Sequence, residues 1–331
     1  STDPHQAAQI VTASIFPSTN RDSKKLATVV LTGVTALVRA TGIEMEMNGT
    51  TYPAIDIRDW LREADILHVN NEVPFAEDCP NPAIYPFTEL KFCSRTKYIE
   101  LLEDIGTDVV ELAGDHFQDW GTEAMLYTLD LYAERDWKVY GGGINIDQGR
   151  QPLLLEVNGN KFAFIGCNAK QPGYAQASET NPGAVHCDMD YLVEQIKKLR
   201  LEGYLPIVTY QHVEVYTYGI HPVLEPEFQA AAKAGAIIVS GSQAHQPHAF
   251  EFYNDSFIHY GLGNLFFDQY SEGFPTRQAF IDRHVFYENR HISTELLTIM
   301  FIDYARSRPM TPSEREELLS TVFSLSRWNM P

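Results

Sequence analysis

The 331 residues carry 44 acidic against 25 Lys and Arg side chains, a formal net charge of -19 with a pI near 4.9; this excludes the basic face that a nucleic-acid partner needs. An apolar fraction of 44% beside 21% charged residues excludes the disordered and fibrous classes, and a chain of this length buries a sizeable core. No apolar run reaches the ~20 residues of a membrane span, and the opening at Ser1 without an initiator Met leads to the expectation of a mature or trimmed form.

In chain order, residues 1–25 read as an N-terminal extension, followed by an apolar strand at Ala27–Leu31. Ile57, Trp60, Leu61 and Ala64 then share one face of a helix, and Ile66–Asn70 forms the next strand. Tyr98, Leu101, Leu102 and Ile105 line a second helix, stopped by Gly106 where a left-handed cap is tolerated. The strand Asp108–Leu112 follows. Leu153–Val157 and Lys161–Gly166 flank Asn158-Gly159, a hairpin signal that requires some antiparallel pairing. Leu192, Ile196 and Leu199 make a third helix, closed by Gly203. Strands are predicted at Ile207–Tyr210, Ala236–Ser240, Phe250–Tyr253, Phe257–Tyr260 and Leu296–Ile302, and Thr311–Arg327 reads as a closing helix packed on the outside. The alternation predicts an α/β protein whose parallel strands are buried under helices. One domain over 26–305, with a closing segment at 306–331, is the simplest division.

The four cysteines bracket two irregular stretches, Cys79 with Cys93 and Cys167 with Cys187. None has the close spacing of a metal or thioredoxin-like motif. Two loop-stapling disulfides fit this pattern and point to an oxidising compartment; four separate buried thiols in a cytosolic protein are the alternative.

Polar residues recur where strands end: Asn70 and Glu72, then Asp115, His116 and Asp119, then Gln211, His212 and Glu214, then His245 and His248. In open α/β sheets ligand sites form at the carboxyl ends of strands, where loops converge on one edge. Four such clusters supply the carboxylate and imidazole donors that bind Zn, Mn or Fe ions. Each residue also has a plainer reading. A histidine after a strand often caps a loop, Glu72 suits a rim carboxylate, and Asp119 suits the N-cap of a helix beginning near Thr122. His221, His259, His284 and His291 have no comparable context and read as surface or core filler. Arg39 and Arg150 have the forked donors that grip a carboxylate or phosphate, or an internal Asp or Glu.

From about Leu26 to Gln269 the sequence resembles the CapA-type (poly-γ-glutamate, capsule-synthesis) branch of the calcineurin-like metallophosphoesterase superfamily. The resemblance lies in Asn70-Asn71-Glu72-Val73-Pro74, in Gly114-Asp115-His116 through Asp119 and Gly121, and in Gly141-Gly142-Gly143-Ile144-Asn145 with Arg150-Gln151-Pro152. It is most specific in the block SGSQAHQPHAFEFYNDSFIHYGLGNLFFDQ, which contains His245, His248 and the Gly263-Asn264 turn. The resemblance implies a four-layer α/β/β/α sandwich of metallophosphoesterase type with divalent metals at the strand edge. It implies Glu72, Asp115, His245 and His248 as metal ligands, and His116 and Asp119, with His212 and Glu214, as catalytic residues. Arg39, Asn70, Asn145 and Arg150 are the substrate-binding candidates.

The chain departs from the family where the first ligand Asp belongs. Gly33-Val34-Thr35-Ala36-Leu37-Val38-Arg39 places Val34 there, and valine coordinates no metal. The family's H-x-G-x-E is also altered, leaving open whether Gln211 or His212 takes its first place. The expected function is that of an exported bacterial protein of cell-surface polymer metabolism. It would be a hydrolase or transferase with a one-metal (Zn, Mn or Fe) or metal-free His/Asp site. The alternatives are a non-catalytic module that binds the polymer, or a structural assembly protein on the same scaffold. The expected partner is an anionic polypeptide or polysaccharide of the cell surface, or a second copy of the chain.

Overall fold

The computed structural model describes residues 22–83, 90–170, 175–242 and 244–328; most of the 1–25 extension lies outside them. Two sheets stack face to face. In the first, the strand Leu26–Thr35 is central, followed on one side by Ile66–Asn71, Val109–Glu111 and Lys138–Tyr140, all parallel. On its other side Gln278–Tyr287, His291–Ile302 and Arg306–Pro309 continue the sheet antiparallel. The second sheet has the order Phe250–Tyr253, Ser256–His259, Ile238–Gly241, Leu205–Gln211, Asn160–Asn168, Leu153–Val157.

The two-residue strand period divides the core into layers. Val29, Leu31, Ile66 and Val109 point between the sheets, where they meet Phe162, Phe164, Ile207 and Ile238 of the second sheet. Their neighbours Val30, Leu67, Val69 and Val110 point outward, onto Leu61, Leu101, Leu102, Met125 and Tyr132. Ala163, Ile165, Val208 and Val239 likewise point outward, onto Leu192, Ile196 and Phe228. These contacts come from the helices Arg58–Arg62, Ile99–Asp104 and Gly121–Ala133 over one sheet, and Met189–Leu201 and Glu225–Ala234 over the other. The result is a four-layer α/β/β/α sandwich. Each of these large apolar side chains contributes about 1.5–3 kcal/mol by leaving water.

The final helix, Pro312–Leu325, begins at a Thr311/Glu314 capping box. Leu318 and Val322 enter the core between the sheets, so this helix plugs an open end of the sandwich instead of lying on its outside. The strand Gln278–Tyr287 was not anticipated, because Asp282, Arg283 and His284 interrupt its apolar run. Asp282 and His284 are nevertheless buried. Asp282 Oδ2 lies 2.6 Å from His259 Nδ1, and His284 Nδ1 lies 2.8 Å from Thr294 Oγ1. Cys79 is bonded to Cys93 and Cys167 to Cys187. No helix among the described residues is long and apolar enough to cross a membrane.

Candidate functional site

The parallel strands of both sheets end on one edge, and the site lies where those two edges meet. Glu72 follows Ile66–Asn71, and its backbone N–H is held by Thr35 O at 2.9 Å. Asp115 and His116 follow Val109–Glu111. From the second sheet come Lys170, two residues past Asn160–Asn168, and Gln211, the last residue of Leu205–Gln211. Glu214 and His245 follow the strands Leu205–Gln211 and Ile238–Gly241. Gly33 lets the edges close up, because a Cβ there would stand 1.8 Å from the Gly263 carbonyl oxygen. That approach pairs Val34 with Asn264, and Asn264 Oδ1 in turn holds His245 Nδ1 at 2.8 Å.

Glu72, Asp115 and His116 each bring one ligand atom to within 4.8 Å of the others. Gln211 bridges the two carboxylates, donating from Nε2 to Asp115 Oδ1 at 3.0 Å and to Glu72 Oε1 at 3.3 Å. Lys170 Nζ lies 2.6 Å from Asp115 Oδ2 and 2.7 Å from Glu214 Oε1. His116 Nδ1 lies 2.7 Å from Asp119 Oδ2, which also accepts the backbone N–H of Phe92 at 2.9 Å. The Phe92 ring meets the imidazole edge-on at 4.9 Å.

These contacts set the charges. Burial and the neighbouring Asp115 carboxylate push Glu72 up to about 8. Asp115 is also buried, but His116 and Lys170 hold it well below the usual carboxylate range. Burial opposes charge on His116, yet the Asp119 hydrogen bond and the Glu72 and Asp115 carboxylates raise it to about 9. The site therefore favours charge on His116, Lys170 and Asp115 and disfavours it on Glu72. Burial lowers His245, and lowers His248 to about 4, which favours the neutral form of both imidazoles.

The candidate residues separate into two groups. Glu72, Asp115, His116, Asp119, Glu214 and His245 converge on the cleft. Arg39 stands at its rim, its guanidinium 4.8 Å from the Phe267 ring centroid and 5.9 Å from that of Phe92. Asn70 lies beneath, donating to Ser242 O at 2.9 Å and reaching Gln211 Oε1 at 3.5 Å, so it props the bridge from below. The remaining candidates are engaged elsewhere. His212 faces the outer helix layer, its Nε2 3.1 Å from Glu227 Oε2 and its Nδ1 accepting from Val213 N. His248 Nε2 donates to Val215 O at 3.0 Å. Asn145 caps the short helix Ile146–Gly149, and Arg150 stacks over Tyr191 at 4.9 Å beside Asp188. Asp119 is not a helix cap; Trp120 holds that position without a side-chain bond.

Lys170 was not foreseen, and the sequence leaves Gln211 open against His212. The strand period settles the choice between Gln211 and His212. Val208, Tyr210 and His212 face the outer helices, while Ile207, Thr209 and Gln211 face the other sheet. Lys170 had a weaker signal, its place two residues after a strand end.

The donor set does not fit a pair of divalent ions. Val34, where the resemblance leads one to expect a first carboxylate, is fully buried among Val38, Val73, Phe92 and Phe267. His248 Nε2 is taken by Val215 O, and the Lys170 ammonium already bridges Asp115 and Glu214.

The chain is thus a four-layer sandwich with carboxylates and histidines gathered at the strand ends of both sheets. The bacterial capsule synthesis protein family PGA_cap matches residues 28–269, and the chain belongs to that family. It is 25% identical over 262 residues to the capsule biosynthesis protein CapA of Bacillus anthracis, covering 78% of this chain and 64% of that protein. It is 25% identical over 183 residues to the PGA biosynthesis protein CapA of Bacillus subtilis (strain 168), covering 55% of this chain and 48% of that one. The chain thus spans less than two thirds of the length of either relative. Among solved structures, NAD nucleotidase from Haemophilus influenzae aligns with a TM-score of 0.47 at 11% identity, over 91% of this chain and 63% of that chain.

Proposed function

We propose that the chain acts at the bacterial cell surface in the assembly or turnover of an anionic polymer of the poly-γ-glutamate kind, as a hydrolase or transferase with His116 as proton donor. Membership of the capsule-synthesis family supports the polymer, and the two disulfides suit an oxidising compartment. The observation that carries the chemistry is the His116–Asp119 pair at 2.7 Å, held beside Glu72 and Asp115. A histidine fixed by a carboxylate on Nδ1 presents its Nε2 proton in one direction. In amide cleavage that proton passes to the leaving nitrogen while water adds to the carbonyl carbon. The imidazole then recovers a proton from the added water, which leaves a carboxylic acid and an amine. In transfer, an amine of a second chain takes the place of water. Arg39, whose guanidinium stands over the Phe267 ring at the cleft rim, offers it to a carboxylate of the polymer.

The test is incubation of the full chain with poly-γ-glutamate, followed by polymer length on a gel. A change of length in the wild type that His116→Ala abolishes supports the proposal. A second reading, binding without chemistry, is favoured by the Arg39 guanidinium at the cleft rim of a strongly acidic chain. It predicts retention on an immobilised polymer with no change in length.

A further inference from the structure

Lys170 occupies the point at which the carboxylates of both sheets converge. Its Nζ lies 2.6 Å from Asp115 Oδ2 and 2.7 Å from Glu214 Oε1, with only 14% of the side chain exposed. The other oxygen of Asp115 is taken by Gln211 Nε2. Oxygen ligands stand about 2.0–2.6 Å from Mg or Ca ions. The ammonium nitrogen therefore lies within a few tenths of an ångström of the place a divalent ion would take between these carboxylates.

We propose that Lys170 is a tethered cation that replaces a bound metal ion in this site, and that shortening its side chain turns the same carboxylates into a divalent-cation site. The geometry requires only that one positive charge be exchanged for another. With Lys170 in place an incoming ion meets an ammonium at contact distance from its ligands, and a buried cluster of this size has no room for both charges. With Lys170 cut back to alanine, Asp115 and Glu214 face the place its ammonium held, with Glu72 and His116 beside it. Hard oxygen donors in that arrangement suit Mn or Ca more than a thiophilic metal. The inference rests on the geometry of the cleft and not on the polymer chemistry, so either can fail alone.

The test is calorimetric titration of the full chain with MnCl2. The wild type is expected to take up no stoichiometric ion at 1 mM, a concentration on the order of the weakest specific affinities. Lys170→Ala is expected to bind one ion per chain at least about 100-fold more tightly than the wild type. Adding Asp115→Asn to that variant should abolish the uptake. One ion bound by the wild type with an affinity within threefold of the variant's would overturn the proposal, and so would a folded Lys170→Ala protein that binds none. Should Lys170→Ala not fold, the wild type decides the matter through the NMR signal of its Lys170 ammonium protons. Their persistence, exchange-protected and unmoved by excess CaCl2, supports the tethered cation; their loss on ion uptake refutes it.

Discussion

Replacing Asp119 by Asn removes a charge without removing the side chain's shape, and so isolates what the carboxylate does for His116. The amide oxygen of Asn keeps an acceptor within reach of His116 Nδ1 and Phe92 N, which now lie 2.7 Å and 2.9 Å from Asp119 Oδ2. What disappears is the charge-assisted part of the bond, roughly half its strength. His116 stands at about 9, against an ordinary value of 6.5. Loss of the Asp119 charge should lower it by about 1–2 pH units, which is about 1.4–2.7 kcal/mol. The stability consequence has a definite sign. A group whose folded pKa is raised contributes stability that is complete below its unfolded value, so the His116 contribution is full below about 6.5 and is lost as pH rises through about 9. NMR titration of the imidazole protons measures the shift, and urea unfolding at several pH values measures the linkage. In Asp119→Asn the imidazole titration should move down toward neutrality, and the alkaline loss of stability should flatten. A shift of less than about half a unit would refute the claim that Asp119 sets the charge of His116.

Gly33→Ala places a methyl group 1.8 Å from the Gly263 carbonyl oxygen; thermal unfolding should show a loss of about 3 kcal/mol or more, or no folded protein. Asp282→Ala leaves His259 buried without its 2.6 Å partner, and denaturant unfolding should register a cost of about 3–5 kcal/mol. Replacing both Cys79 and Cys93 by Ser reopens a loop of sequence separation 14, and chemical unfolding should fall by about 2–4 kcal/mol. His212→Ala, which removes an outward-facing side chain bonded to Glu227, should leave the pH dependence of His116 unchanged in the same NMR titration.

Much of the sandwich was legible because strand ends and helix faces write themselves in periods of two and of three to four residues. Glu72, Asp115 and His116 were readable since each directly follows an apolar strand, and the backbone geometry of parallel strands leaves such residues little choice of edge. Both cysteine pairings were legible because each pair encloses a single loop. The strand Gln278–Tyr287 was not, because its buried Asp282 and His284 are satisfied by partners on Ser256–His259 and His291–Ile302, which no local pattern shows. His212 and His248 seemed to belong to the site because their neighbours do. Strand alternation sends His212 to the opposite face from Gln211, and a turn directs His248 to a backbone carbonyl. Lys170 in a polar loop resembles any solvated lysine. Its role arises from the second sheet bringing it across to Asp115, a residue 55 positions earlier in the chain.

The account rests most heavily on His116 as the proton donor of a site that needs no metal ion. Its most direct test is the length of poly-γ-glutamate after incubation with the full chain in excess EDTA, comparing wild type with His116→Ala. The account predicts that the polymer changes length with the wild type, undiminished by the chelator, and stays intact with the variant. Activity that EDTA abolishes, or a His116→Ala protein as active as the wild type, would contradict it.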